Sequence, residues 1–93
     1  MLKQLEAIIA NRKTHPTPDS YTAQLFSKGR PKIAQKVGEE ATEVIVAALA
    51  QSREEQVGEL CDLFYHTLVL MADLGITLDE VGVELEKRHK ARE

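Results

Sequence analysis

The sequence predicts an all-α fold, a bundle of four to five helices. Apolar residues recur three and four positions apart in successive stretches, which is the helical period. Ser52 with Glu55, and Thr77 with Glu80, have the spacing of capping boxes, where side chain and backbone satisfy each other's free groups at a helix start. No stretch alternates apolar and polar residues as a half-buried strand does. Helices joined by short loops bury their apolar stripes against one another, which makes a bundle.

The first helix runs from Met1 to about Arg12, with Leu2, Leu5, Ile8 and Ile9 on one stripe. Pro16 and Pro18 hold the residues before them out of the helical region, so 14–20 is a loop, and Asp19 or Ser20 can cap the next helix. That short second helix, over 20–27, buries Leu25 and brings Tyr21 towards the core. Gly29 is placed to end it in a left-handed cap, and Pro31 suits the first turn of the third helix. The third helix runs from about Pro31 to Ala50, with Ile33, Val37, Ala41, Val44, Ile45, Ala48 and Leu49 on one broad face. The fourth starts after Ser52 and reaches about Leu74. Val57, Leu60, Cys61, Leu63, Phe64, Leu68, Val69, Leu70 and Met71 surround most of its circumference, which predicts the centre of the bundle. Its polar stripe is narrow: Glu59, Asp62, His66 and Asp73. Gly75 closes it, and Thr77 caps a last helix that carries Leu78, Val81 and Leu85.

A chain of 93 residues makes one domain, 1–93. At this size folding buries roughly 60–65% of the unfolded surface, and forming a dimer would add to it. Hydrophobic residues make up 43% and aromatics only 4%, so the core is aliphatic. A net charge of −3 argues against general nucleic-acid binding. The basic residues are nevertheless clustered, Lys28, Arg30, Lys32 and Lys36 in one group, Lys87, Arg88, Lys90 and Arg92 in another. Each cluster suits either a small polyanion or a solvated face. One cysteine, Cys61, excludes an internal disulfide and reads as a buried small hydrophobe. With no signal peptide and no apolar run near the roughly 20 residues of a membrane span, the expected location is the cytoplasm.

The feature that asks for chemistry is a set of carboxylates in apolar helical patterns. Glu40 with Glu43, and Glu59 with Asp62, are each three residues apart, so each pair projects from one side of its helix. Glu39 points further towards solvent. A tight turn near Gln51 and Ser52 sets Glu43 and Glu59 at nearly equal distances from it, so the pairs come level in an antiparallel hairpin. Four carboxylates at one level repel unless a cation joins them, and oxygen-only ligands suit Mg²⁺ or Mn²⁺. Such an ion binds phosphates and promotes attack of water on a phosphoanhydride. The plainer alternative is salt bridging, for example Lys36 with Glu40 four residues on. His66 shares the stripe and reads best as a hydrogen-bonded core histidine, with ligand and phosphate contact as alternatives. Neither acidic pair carries the Glu-x-x-His of di-iron carboxylate bundles. There is no Gly-rich phosphate loop and no nucleophile motif, so any hydrolysis rests on metal and water.

The stretches GEEATEVIVAALA and GELCDLFYHTLVLMADLGI resemble the metal-binding core of the all-α, MazG-like nucleoside triphosphate pyrophosphohydrolases. The motif Glu-Glu-x-x-Glu then Glu-x-x-Asp falls on Glu39, Glu40, Glu43, Glu59 and Asp62. With SYTAQLFSKG upstream, YHTLVLMAD downstream and the ending ELEKRH, residues 2 to about 90 resemble the phosphoribosyl-ATP pyrophosphohydrolase family of histidine biosynthesis, in its stand-alone rather than fused form. The resemblance implies a Mg²⁺-dependent homodimer that hydrolyses the α–β phosphoanhydride of phosphoribosyl-ATP, giving phosphoribosyl-AMP and pyrophosphate. By position it implies Glu40, Glu43, Glu59 and Asp62 as metal ligands and Glu39 as a water-orienting group. Lys36 and Lys32 would lie near the polyphosphate, with Arg88 a further candidate. Ser20, Tyr21, Thr22 and Lys28 would contribute to substrate recognition. Two rival readings are a house-cleaning pyrophosphatase for nucleotides such as dCTP, and a non-enzymatic dimeric adaptor whose carboxylates only form salt bridges.

Overall fold

The computed structural model describes residues 1–92; Glu93 and the side chain of Arg92, one of the basic C-terminal group, lie outside the described residues. Five helices occur in order: α1 (Leu2–Thr14), α2 (Tyr21–Lys28), α3 (Arg30–Ala50), α4 (Arg53–Leu74) and α5 (Leu78–Arg92). No strand occurs among the described residues. The fold is the all-helical one the periodicity predicts.

The helix ends are set by local chemistry. The Ser20 hydroxyl accepts from the Ala23 amide at 3.1 Å and opens α2. Gly29 ends α2 and starts α3 with φ 92° and ψ 169°. That is an extended conformation at positive φ, open essentially to glycine alone, rather than the left-handed cap expected. The Ser52–Glu55 capping box forms in full, and Gly75 takes the left-handed conformation that closes α4. Thr77 accepts from the Glu80 amide at 3.1 Å. A distant residue adds to this start: Glu6 on α1 accepts from the Leu78 amide at 2.7 Å.

The α3–α4 hairpin is the centre of the protein. α1 and α2 pack on its open end, where the core forms from Ile9, Leu25, Ile33, Leu68 and Val69. Each such side chain, fully buried, contributes about 1.5–3 kcal/mol. Arg30 Nε bonds Asp73 Oδ2 at 2.7 Å and ties the start of α3 to the end of α4 at that same end.

Beyond α1 and α2 the hairpin is uncovered, and two expectations fail there. α4 is not buried all round: only His66, Leu68 and Val69 are, all in its second half. Cys61 is exposed, not buried. It lies with Val57, Leu60 and Phe64 on a face that no element of the same chain covers. On α3, Ile45, Val46 and Leu49 are exposed as well, Leu49 at 83%. The apolar pattern is real, but one chain covers only part of it. The stripe of α1 is covered in part too, with Ile9 buried and Leu2 and Ile8 exposed.

Candidate metal centre

The hairpin register brings the acidic residues together from two helices. Glu40 and Glu43 leave α3, Glu59 leaves α4, and one oxygen of each lies within 4.8 Å of the others. The three grade from buried to open: Glu40 is 6% exposed, Glu59 half-buried and Glu43 exposed. Asp62, one turn along α4, stands outside this tight group, although its charge acts on Glu40 and Glu59.

The electrostatics record the crowding. Burial, then the neighbouring Glu43 carboxylate, pushes the Glu40 carboxyl above the usual carboxylate range. Glu59 is pushed the same way, first by the adjacent Glu43 carboxyl and then by burial. Glu40 Oε2 and Glu59 Oε2 are sealed from solvent with no hydrogen-bond partner. Buried acceptors are normally satisfied. Two orphaned carboxylate oxygens beside a third carboxylate fit a cation, and an all-oxygen donor set fits a hard divalent one.

The flank of the cluster is basic. Lys36 Nζ lies 3.3 Å from Glu39 and 3.7 Å from Glu40. The alternative salt bridge therefore exists, but it reaches only one member of the cluster and leaves the orphaned oxygens unpaired. Glu39 is held below the usual carboxylate range, first by the Gln35 amide at 2.7 Å and then by Lys36. The hydrogen bond to Glu39 in turn raises Lys36. Lys32, half-buried one turn before Lys36, acts on Glu39 by its charge. Lys28 is exposed at the end of α2. Arg88 lies on α5, where its Nε donates to Glu84 at 3.1 Å. The chain by itself does not bring Arg88 to the carboxylates.

A polar and aromatic group closes the site on the α2 side. His66 is buried at 6% exposure, a hydrogen-bonded core histidine as expected. Its Nδ1 donates to the Asp62 carbonyl at 2.8 Å, and its Nε2 lies 2.9 Å from the Tyr21 hydroxyl. Tyr65 packs edge-on to His66 and stacks with Tyr21, and its hydroxyl bonds the Thr22 hydroxyl. Sequence reasoning does not single out Tyr65. Its signal is position, one residue before His66 and facing the same short helix. A separate groove of about 450 Å³ between α1, the end of α4 and the start of α5 is lined by Ala10, Leu68, Met71 and Ile76 and holds none of these residues.

The family model for phosphoribosyl-ATP pyrophosphohydrolase matches residues 2–89. The chain belongs to that family. It is 52% identical over 90 residues to the phosphoribosyl-ATP pyrophosphatase of Pyrobaculum aerophilum, covering 97% of this chain and 96% of that one. It is 53% identical over 87 residues to the phosphoribosyl-ATP pyrophosphatase of Erythrobacter litoralis, covering 94% and 84%. It is also 47% identical over 93 residues to the histidine biosynthesis bifunctional protein HisIE of Oceanobacillus iheyensis, of which it spans 43%. No described helix is long and apolar enough to cross a membrane.

The raised carboxyls make a prediction for the metal-free protein. A carboxyl whose folded pKa is raised contributes stability below its unfolded pKa, and that stability is lost as pH rises through the folded value. With chelator present, Glu40→Gln should therefore gain stability relative to the wild type as pH rises from about 4 to about 7.5, across the carboxylate range. Urea unfolding at several pH values measures this. A wild type that gains on the variant over that interval contradicts it.

Proposed function

We infer that the chain hydrolyses the α–β phosphoanhydride of phosphoribosyl-ATP, releasing phosphoribosyl-AMP and pyrophosphate in histidine biosynthesis. The observation that carries this beyond family membership is the carboxylate group with two orphaned oxygens, flanked by Lys36. Glu40, Glu43 and Glu59 would hold the divalent cation, and Asp62, whose charge acts on Glu40 and Glu59, would join as a further ligand. Mg²⁺ is the ion this oxygen donor set favours, with Mn²⁺ its substitute. When bound, such an ion neutralises polyphosphate charge and makes water a better nucleophile at neutral pH.

The chain's own groups divide the remaining work. Lys36 is a fixed positive charge at the rim of the cluster and would stabilise charge growing on the leaving pyrophosphate. Lys32, one turn away, would extend that field, while Lys28 is exposed at the other end of α2 from Tyr21. Glu39, held below the usual carboxylate range by Gln35 and Lys36, is a poor base but a fixed hydrogen-bond acceptor, which suits it to orient the attacking water. Tyr21, 48% exposed beside the cluster, would meet the substrate. Arg88 would act only if supplied from another chain.

That last condition agrees with the uncovered hairpin face. Ile45, Val46, Leu49, Val57, Leu60 and Phe64 form an exposed apolar surface beside the site. Surfaces of this kind mark association sites, and a homodimer that pairs two hairpins would cover it. Cytoplasmic location accords with a biosynthetic role.

Two measurements test these readings. Pyrophosphate release from phosphoribosyl-ATP should require Mg²⁺ and should far exceed release from dCTP or ATP. Glu40→Gln and Asp62→Asn should each cut turnover on the order of 100-fold or more, given the several kcal/mol an activating cation supplies, while the helical circular dichroism survives. Full activity in both variants would sink the assignment. Light scattering should give a dimer that Phe64→Lys converts to monomer; a monomeric wild type contradicts the homodimer.

A further inference from the structure

His66 is an unusual residue to seal beside a carboxylate cluster, and its two ring nitrogens have distinguishable partners. The partner of Nδ1 is the Asp62 backbone carbonyl at 2.8 Å, a pure acceptor, so Nδ1 carries a proton. In the neutral ring Nε2 is then a lone pair, and the group in front of it is the Tyr21 hydroxyl at 2.9 Å. With the ring neutral, that hydroxyl donates. Its single proton points inward, to the histidine.

The rest of the surroundings keep the ring in this pose. Tyr65 and Tyr21 both meet the imidazole edge-on, with centroids 5.1 and 5.9 Å away. Tyr65 is itself tied to Thr22, the neighbour of Tyr21 on α2. Two hydrogen bonds therefore join α2 to α4 here, and both run through aromatic hydroxyls. Tyr21 is half exposed, and it is close enough to Lys36, Glu40 and Asp62 for their charges to act on it.

We propose that His66 is a positioning residue: it engages the proton of the Tyr21 hydroxyl and leaves the outward side of that oxygen as a hydrogen-bond acceptor for a hydroxyl or amino group of the nucleotide. The proposal rests on the reading of the chain as a nucleotide hydrolase. Its chemical content is a division of the substrate. Phosphoryl oxygens only accept hydrogen bonds, so an acceptor-only Tyr21 cannot serve them. The polyphosphate belongs to Lys36 and the cation-holding carboxylates, while Tyr21 reads a donor on the ribose or base.

The test is a double-mutant cycle on the purified full chain with Mg²⁺ and phosphoribosyl-ATP. Tyr21→Phe and His66→Leu should each raise KM roughly tenfold, the scale of one lost hydrogen bond, with the loss falling more on KM than on kcat. The double variant should be no worse than the worse single one. His66→Gln, whose amide oxygen can stand where Nε2 does, should recover most of the loss. Additive losses, or losses confined to kcat, overturn the proposal. If His66→Leu does not fold, the imidazole ¹⁵N shifts of the wild type decide: a neutral ring protonated at Nδ1 supports the proposal, and a ring protonated at Nε2 overturns it. If the wild type releases no pyrophosphate, the activity reading has failed, and the same spectra still decide the hydrogen-bond direction.

Discussion

The structure depends on a repulsion. Glu40, Glu43 and Glu59 are brought within 4.8 Å of one another by the register of two helices, and two of their oxygens are shut away from any donor. Nothing among the described residues neutralises that arrangement in full. Lys36 touches Glu40 from one side and is shared with Glu39. A buried charge without a partner is costly, so the folded chain carries an electrostatic strain that a divalent cation would relieve. The same repulsion that makes the apo cluster unfavourable makes it selective for a small, highly charged ion.

The rest of the fold holds this cluster in place. The capping box at Ser52 makes a two-residue turn possible between α3 and α4, and that short turn sets Glu43 level with Glu59. The aliphatic core under α1 and α2 clamps the far end of the hairpin. Arg30 and Asp73 pin it there. α2 also does something chemical: by docking on the hairpin it delivers Tyr21 to His66, beside the carboxylates. Packing and site construction are thus one event on that side of the protein.

Much of this is legible in the sequence because helices are local. A period near 3.6 and the capping residues place the five helices, and a three-residue spacing shows that Glu40 with Glu43 shares a side. Three features are not legible. Cys61 and Phe64 lie in a pattern that reads as buried on every side, yet the chain leaves their face open. Periodicity reports that a face is apolar, not which molecule covers it. The link from Tyr21 to His66 joins residues 45 positions apart, and it depends on how α2 docks, which no local pattern specifies. Asp62 belongs to the same stripe as Glu59 in sequence, but one turn of rise sets it at the edge of the tight group.

If the cluster is built for a divalent cation, the stability of the folded chain must depend on that ion. Thermal unfolding of chelator-treated protein should be monitored as Mn²⁺ or Mg²⁺ is added. A site that binds only in the folded chain adds about 2.7 kcal/mol at a hundredfold excess over Kd, which raises Tm by roughly 10–20 °C in a domain this size. The wild type should show a rise of that order, and Glu40→Gln should lose it. A melting temperature that ignores both ions at millimolar concentration would contradict a cation site in the cluster.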